Sequence, residues 1–232
     1  MTRPPPPDDR RRPPARRPVL RERQKHAAAD DYAQRARIAF LWALALDRFR
    51  QYVQAMRGMD MLDQELAGRS ALDTTVLRRA YAELDGVARG GGFGPPPPGE
   101  WDAEHMLAHI ASADAAAASA ALAIAAGLRP SYDNRINIDE SNLQRIIRET
   151  GGLPGLTDLV RRNGELLCSI AAQLSDEQLD VRLPVLIVSG DQVVVDEARP
   201  LRALIEGIGH AHLPMHAQQL RSLRQQYPAA GS

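Results

Sequence analysis

Apolar residues recur at three- and four-residue intervals along most of the chain, the spacing that gathers side chains on one face of an α-helix. Ile38, Leu41, Trp42, Ala45, Phe49, Tyr52 and Val53 keep this spacing and predict an amphipathic helix within a helical extension over 30–66. Val76, Leu77, Ala80, Tyr81, Leu84 and Val87 predict the next helix, with Asp73 as its N-cap and the Gly90-Gly91-Gly92 run as its stop. The prolines from Pro95 to Pro98 form a stiff, extended spacer. A long helix then runs from Asp102 through Met106, Leu107 and Ile110 to Ala126, ending at Gly127, and its alanines offer a narrow face that a neighbour can approach closely. Residues 128–139 read as irregular, and 137–149 as a short helix stopped by Gly151-Gly152. A third long helix is expected over 156–174, with Leu159, Leu166, Leu167 and Ile170 on one face. The last helix begins near Pro200, carries Leu201, Leu204, Ile205 and Ile208, and ends near Gln226.

One stretch breaks the helical period. Between Pro184 and Asp196, two β-branched runs flank Ser189-Gly190-Asp191-Gln192, which predicts a short β-hairpin before the last helix. Four principal helices with long crossings predict a mainly α fold, a four-helix bundle over 72–226, and such bundles build metal sites from side chains on facing helices. Composition agrees: the chain is 44% hydrophobic but only 4% aromatic, and its abundant alanine and leucine favour helix over sheet.

The formal net charge of zero conceals an asymmetry. Residues 1–26 carry nine Arg or Lys against Asp8, Asp9 and Glu22. This Pro/Arg-rich tail, 1–29, buries too little apolar area to offset its ordering entropy and is expected to be disordered, as is the short end 227–232. No aromatics interleave its arginines, so nucleic-acid contact is expected only as nonspecific attraction. The densest apolar run, Ile38 to Leu46, falls far short of the ~20 residues that span a bilayer, and no secretory signal precedes it. A cytoplasmic protein without a membrane segment is the expectation. Met56, Met59 and Met61 follow the compositional break, so translation from a later start is an open alternative for 1–58. The apolar face from Ile38 to Val53 either forms a homodimer or packs on its own bundle. Cys168, the single cysteine, lies in an apolar helical setting and reads as a buried structural thiol.

Five of the six histidines fall in two clusters about a hundred residues apart, His105 and His109, then His210, His212 and His216. Histidines four apart on a helix point the same way, and neutral imidazole is the commonest metal ligand. Trp101-Asp-Ala-Glu-His105-Met-Leu-Ala-His109-Ile-Ala-Ser-Ala-Asp114, followed by His212-Leu-Pro214-Met-His216-Ala-Gln-Gln219-Leu220, resembles the DinB-like superfamily, which includes bacterial thiol-dependent transferases and mycothiol-dependent maleylpyruvate isomerases. The resemblance covers 72–224. It implies an up-down-down-up four-helix bundle and a divalent metal, zinc or alternatively nickel, held by His109, His212 and His216. It also matches Asp114 to an acidic position that orients an imidazole or accepts a proton from substrate. Three imidazoles leave one position of a tetrahedral ion open, the arrangement of a catalytic site.

Other readings compete within the same residues. Glu206 and His210 are also four apart and match the Glu-x3-His pair of the isomerase branch. Pro214 lies between the expected ligands, where it either kinks the helix or begins it. His105 is a pocket-rim residue or an ordinary helix histidine, and Trp101 a packing anchor or a substrate platform. Ser131 to Arg135 forms a turn or reaches substrate, whereas the glycines after Arg89 have neither a preceding strand nor a phosphate-binding lysine and read as a linker. Three functions follow: a metal-dependent transferase or isomerase acting on a small-molecule substrate with a low-molecular-weight thiol such as mycothiol, a metal-dependent hydrolase, and a non-catalytic binding protein.

Overall fold

Leu107, Met106 and Ile110 are each fully buried, and the helix that carries them is largely buried, with an exposed stripe at Ala115, Ser119 and Leu122. In the computed structural model, which describes residues 72–190 and 192–225, this helix is α2, Ala103–Ala125, with Asp102 as N-cap accepting the His105 N–H. The tail at 1–29, the helical extension at 30–66 and the end at 227–232 lie outside the described residues. Before α2 comes α1, Thr75–Arg89; after it come α3, Glu140–Thr150, and α4, Leu153–Ala171. The protein is mainly helical. α2 packs along α4 and touches α3, while α1 packs on α4 and on the last helix. Alanines at 111, 117, 118 and 121 face this interior, so α2 approaches its neighbours with little side chain between. Each fully buried leucine or isoleucine contributes about 1.5–3 kcal/mol relative to exposure. α2 is also long and apolar enough to cross a membrane, and 67% of its apolar window is buried inside the fold, the disposition of a core helix.

Local chemistry adjusts the expected boundaries. Thr74 rather than Asp73 occupies the N-cap of α1, and Asp73 instead accepts the Thr75 N–H at 2.9 Å. Gly152 at φ 92° and Pro154 in the first turn start α4 at Leu153, three residues before the expected Leu156, and it ends at Ala171. A short helix, α5, Asp176–Leu179, was not expected, although Ser175 and Gln178 form a capping box around its start.

The hairpin is present and longer than its β-branched runs. β2, Arg182–Ser189, pairs antiparallel with β3, Gln192–Pro200, in a register that sets Leu183 opposite Arg199 and Ile187 opposite Val195. Leu183 and Val185 face the core while Pro184 is exposed. A two-residue strand, β1, Tyr132–Asp133, adds to β2 in parallel, giving the sheet order β1-β2-β3. The segment from Ser131 to Arg135 is thus part strand and part turn. Asn134 clamps the far end of β2, its amide donating to the Val188 carbonyl at 2.9 Å and accepting the Val188 N–H at 2.8 Å.

The last helix runs in three parts: α6, Leu201–Gly207; a π-helical turn, Ile208–His212; and α7, Leu213–Gln225. The burial pattern explains the interruption. Leu201, Leu204, Ile205 and Ile208 are buried in one phase, and Leu213, Ala217, Leu220 and Leu223 in another, with a five-residue step from Ile208 to Leu213. A π turn inserts that extra residue, and the Leu213 N–H donates to the Ile208 carbonyl five residues back. Pro214 then falls in the first turn of α7, just beyond the wider turn, and the segment through His212 and His216 stays helical.

Two glycines separate packing from helix propensity. A Cβ on Gly86, inside α1, would meet nothing within 4 Å, whereas one on Gly164, inside α4, would lie 2.7 Å from the Tyr81 ring. Gly86→Ala is expected to stabilise the fold by about 0.5–1 kcal/mol through helix propensity, and Gly164→Ala to destabilise it by about 1–2 kcal/mol through overpacking. Urea unfolding of both variants checks the opposite signs, and a gain in stability at Gly164 would show that the Tyr81 ring can yield.

Candidate metal centre

Folding brings α2 and the π-to-α7 junction together so that three of the five clustered histidines converge. His109, His212 and His216 lie with one ligand atom each within 4.8 Å of one another. The Nε2 of His212 is 2.9 Å from the Nε2 of His109 and 3.2 Å from that of His216. The ring centroids are 4.6–5.1 Å apart at steep angles, so the rings meet edge to face around a common point rather than stack. His210 is exposed and Glu206 half-buried, and neither belongs to this group. Of the two competing registers, the pair at 212 and 216 is the one that joins His109.

The outer nitrogens fix which atoms face inward. His109 Nδ1 lies 2.8 Å from the Asn137 carbonyl oxygen, and His216 Nδ1 2.6 Å from Gln219 Oε1. Both partners are acceptors, so each Nδ1 carries the proton and donates it, leaving an unprotonated Nε2 directed at the centre. A carbonyl or amide oxygen on the outer nitrogen of an imidazole is the arrangement that orients histidine ligands in metal sites. Gln219 belongs to the terminal motif of the sequence. Asn137 contributes its backbone carbonyl, which no side-chain pattern announces. It is delivered by the 3₁₀ turn Asn134–Asn137, whose buried Asn137 side chain accepts from Ser112 Oγ at 2.8 Å and donates to Tyr132 Oη at 3.4 Å. His212 Nδ1 is buried without a hydrogen-bond partner.

No imidazolium holds this cluster together at neutral pH. Burial pushes His212 well below the usual imidazole range, with His216 and His109 opposing a further charge, and pushes His216 down to about 3. Burial lowers His109 as well, against the pull of the Asn137 carbonyl. Three neutral imidazoles therefore face one another in a water-poor interior. Two nitrogens at about 2.0–2.1 Å from one tetrahedral ion stand roughly 3.3 Å apart, and the observed separations of 2.9 and 3.2 Å approach that value. The donor set fits a divalent ion of the zinc, nickel or copper kind, for which imidazole is a suitable ligand.

The flanking residues divide between packing and bridging. Trp101 lies with its ring centroid 5.1 Å from that of His109 and packs against the core, so it is a wall of the centre as well as an anchor for α2. His105 joins α2 to α3: its Nδ1 is 2.7 Å from Asp102 and its Nε2 3.2 Å from Glu140. Burial would depress its pKa, but the two carboxylates outweigh that and raise it. It stands apart from the three-histidine group.

Asp114 takes part in none of the imidazole hydrogen bonds. Five residues past His109 on α2, it lies roughly 140° around the helix from it. The orienting roles belong to Asn137 and Gln219. Asp114 is fully buried near Tyr81, Tyr132 and Cys168, and neither its two oxygens nor the Tyr81 hydroxyl has a hydrogen-bond partner of ordinary geometry. Burial pushes its pKa up to about 8, with the Tyr81 hydroxyl pulling weakly the other way. Cys168, as expected, is a buried free thiol whose pKa burial raises.

A buried carboxyl of this kind gives stability a recognisable pH dependence. Unfolded Asp ionises near 3.9, so between about pH 4 and the folded value of about 8 the native chain holds the extra proton. Its contribution to stability is present below that window and is lost as pH rises through it, with a slope approaching about 1.4 kcal/mol per pH unit. Asp114→Asn is therefore expected to gain stability over the parent progressively from pH 5 to pH 8 in urea unfolding; a difference independent of pH would contradict a protonated Asp114. In comparisons with known proteins, no family model, no curated protein and no solved structure matches the chain, so any functional reading stands on the geometry of its own residues.

Proposed function

We propose that the protein binds one divalent metal ion, zinc or alternatively nickel, through His109, His212 and His216, and uses it in a thiol-dependent transferase or isomerase reaction on a small molecule. The fold that goes with this reading is the up-down-down-up four-helix bundle formed by α1, α2, α4 and the last helix. The observation that carries the proposal is the inward convergence of three Nε2 atoms, with His109 and His216 held in the required tautomer by Asn137 and Gln219.

Three neutral ligands leave the ion's double positive charge uncompensated, and such an ion, when bound with an open position, stabilises the thiolate form of a thiol or lowers the pKa of water. The chain's own residues supply the rest. Asn137 and Gln219 orient the rings and raise their basicity, and Trp101 walls one side of His109. A low-molecular-weight thiol such as mycothiol is favoured over water as the nucleophile by the sequence resemblance in Trp101 to Asp114 and His212 to Leu220. A cytoplasmic setting, where such thiols are abundant, belongs to the same proposal.

Purified protein is expected to bind about one equivalent of zinc, and His212→Ala to lose it. Gln219→Ala should retain the fold and weaken binding roughly 10–100-fold, measured by competition with a chromophoric chelator. Absence of zinc or nickel binding by the parent would overturn the metal reading. With metal bound, turnover of electrophilic or isomerisable substrates that requires added thiol supports the transferase or isomerase reading; turnover unaffected by thiol would move the assignment to a hydrolase.

A further inference from the structure

Away from the histidines, a cleft of about 260 Å³ opens between α1 and α4. It is close to the small end of ligand pockets, which run from about 300 to 1,000 Å³. Leu84, Leu107 and Val160 contribute apolar wall, and the Tyr81 ring lies against Gly164, where any side chain would occupy its place. Cys168 also lines it. None of the three clustered histidines does.

The charged side chains lining this cleft balance in number, Arg78 and Arg161 against Asp85 and Glu165, but they do not all pair. Arg161 pairs with Glu165 at 2.8 Å, and Asp85 with Arg89 at 2.8 Å. Arg78 is different. Its only side-chain hydrogen bond among the described residues is a long one, 3.4 Å, to Thr74 Oγ1 on the preceding turn, and it pairs with no carboxylate among them. Arg78 nevertheless lines the cleft together with Cys168. An apolar hollow with one unneutralised guanidinium at its edge is complementary to an anion with a short apolar body, because a carboxylate takes the planar fork of Arg while the body displaces water from the wall.

We propose that the cleft between α1 and α4 is a second binding site, for a small amphipathic carboxylate whose head pairs with Arg78 and whose apolar body lies along Tyr81, Leu107, Val160 and Cys168. The volume admits a short acyl chain or a single ring rather than a long-chain lipid. The site is independent of the metal centre, so failure of the metal reading leaves it standing.

Octanoate is a suitable probe, with octan-1-ol as its uncharged counterpart. Binding to the full chain is measured by calorimetry, and in parallel by the rate at which N-ethylmaleimide alkylates Cys168, the single cysteine of the sequence. Octanoate is expected to bind saturably and to slow alkylation, octan-1-ol to bind more weakly, and Arg78→Gln to weaken octanoate roughly tenfold or more, as loss of a charge-assisted pair implies. Arg78 is exposed, so the substitution is not expected to disturb folding. No calorimetric binding of octanoate at millimolar concentration, equal affinity for octan-1-ol, or equal octanoate affinity in Arg78→Gln would each overturn the proposal. Should Cys168 resist alkylation even without ligand, calorimetry with the Arg78 variant decides.

Discussion

Unprotonated imidazole nitrogens directed at one another across 2.9 and 3.2 Å repel unless something positive lies between them. A second proton on one ring is the ordinary answer, and burial disfavours it by holding the rings neutral at physiological pH. Donating His212 Nε2–H to one neighbour would still leave the other lone pair unmatched, because His109 and His216 already spend their Nδ1 protons on Asn137 and Gln219. A divalent cation satisfies all three at once. The electrostatics of this cluster, more than any motif, motivate the metal-dependent reading.

The surrounding architecture serves the same convergence. α2 supplies His109 from its buried N-terminal half, and the turn after β1 aims the Asn137 carbonyl at the back of that ring. The last helix has a harder task, since α6 and α7 bury apolar rows that are out of phase. The π turn at Ile208–His212 reconciles them and leaves His212 at its end, one turn from His216. Gly209 within it comes so close to α1 that an added Cβ would stand 3.1 Å from Leu77 Cα. π turns occur often at functional sites, where they let a helix present a side chain without surrendering its packing on either side.

Periodicity made the helices legible, and a β-branched pair of runs around Ser189 to Gln192 made the hairpin legible, because in both cases the signal is written in side chains. The pair at His212 and His216 and its partner Gln219 were legible for the same reason. What escaped was written in backbone or in tertiary placement. The Asn137 carbonyl has no residue signature, the two-residue β1 exists only because β2 lies beside it, and α5 is too short to show a period. The five-residue step from Ile208 to Leu213 was present in the sequence, but Pro214 suggested a kink or a helix start instead of a wider turn. Asp114 was matched through the resemblance to an acidic position that orients an imidazole or accepts a proton from substrate; no imidazole bonds to its carboxyl, which the helix turns toward Tyr81 and Tyr132.

That carboxyl also shows where the interior is least settled. Asp114 and Tyr81 are both buried without ordinary hydrogen bonds, and a buried polar group so placed costs about 1–3 kcal/mol. Among the described residues neither member of this pair hydrogen-bonds to a histidine, although Tyr132 beside Asp114 accepts from Asn137, whose carbonyl faces His109. The most direct test of the account is X-ray absorption at the metal edge of zinc-loaded protein. Three imidazole nitrogens at about 2.0–2.1 Å with one further light scatterer are predicted; a sulfur scatterer in thiol-free buffer, or fewer than three imidazoles, would contradict it.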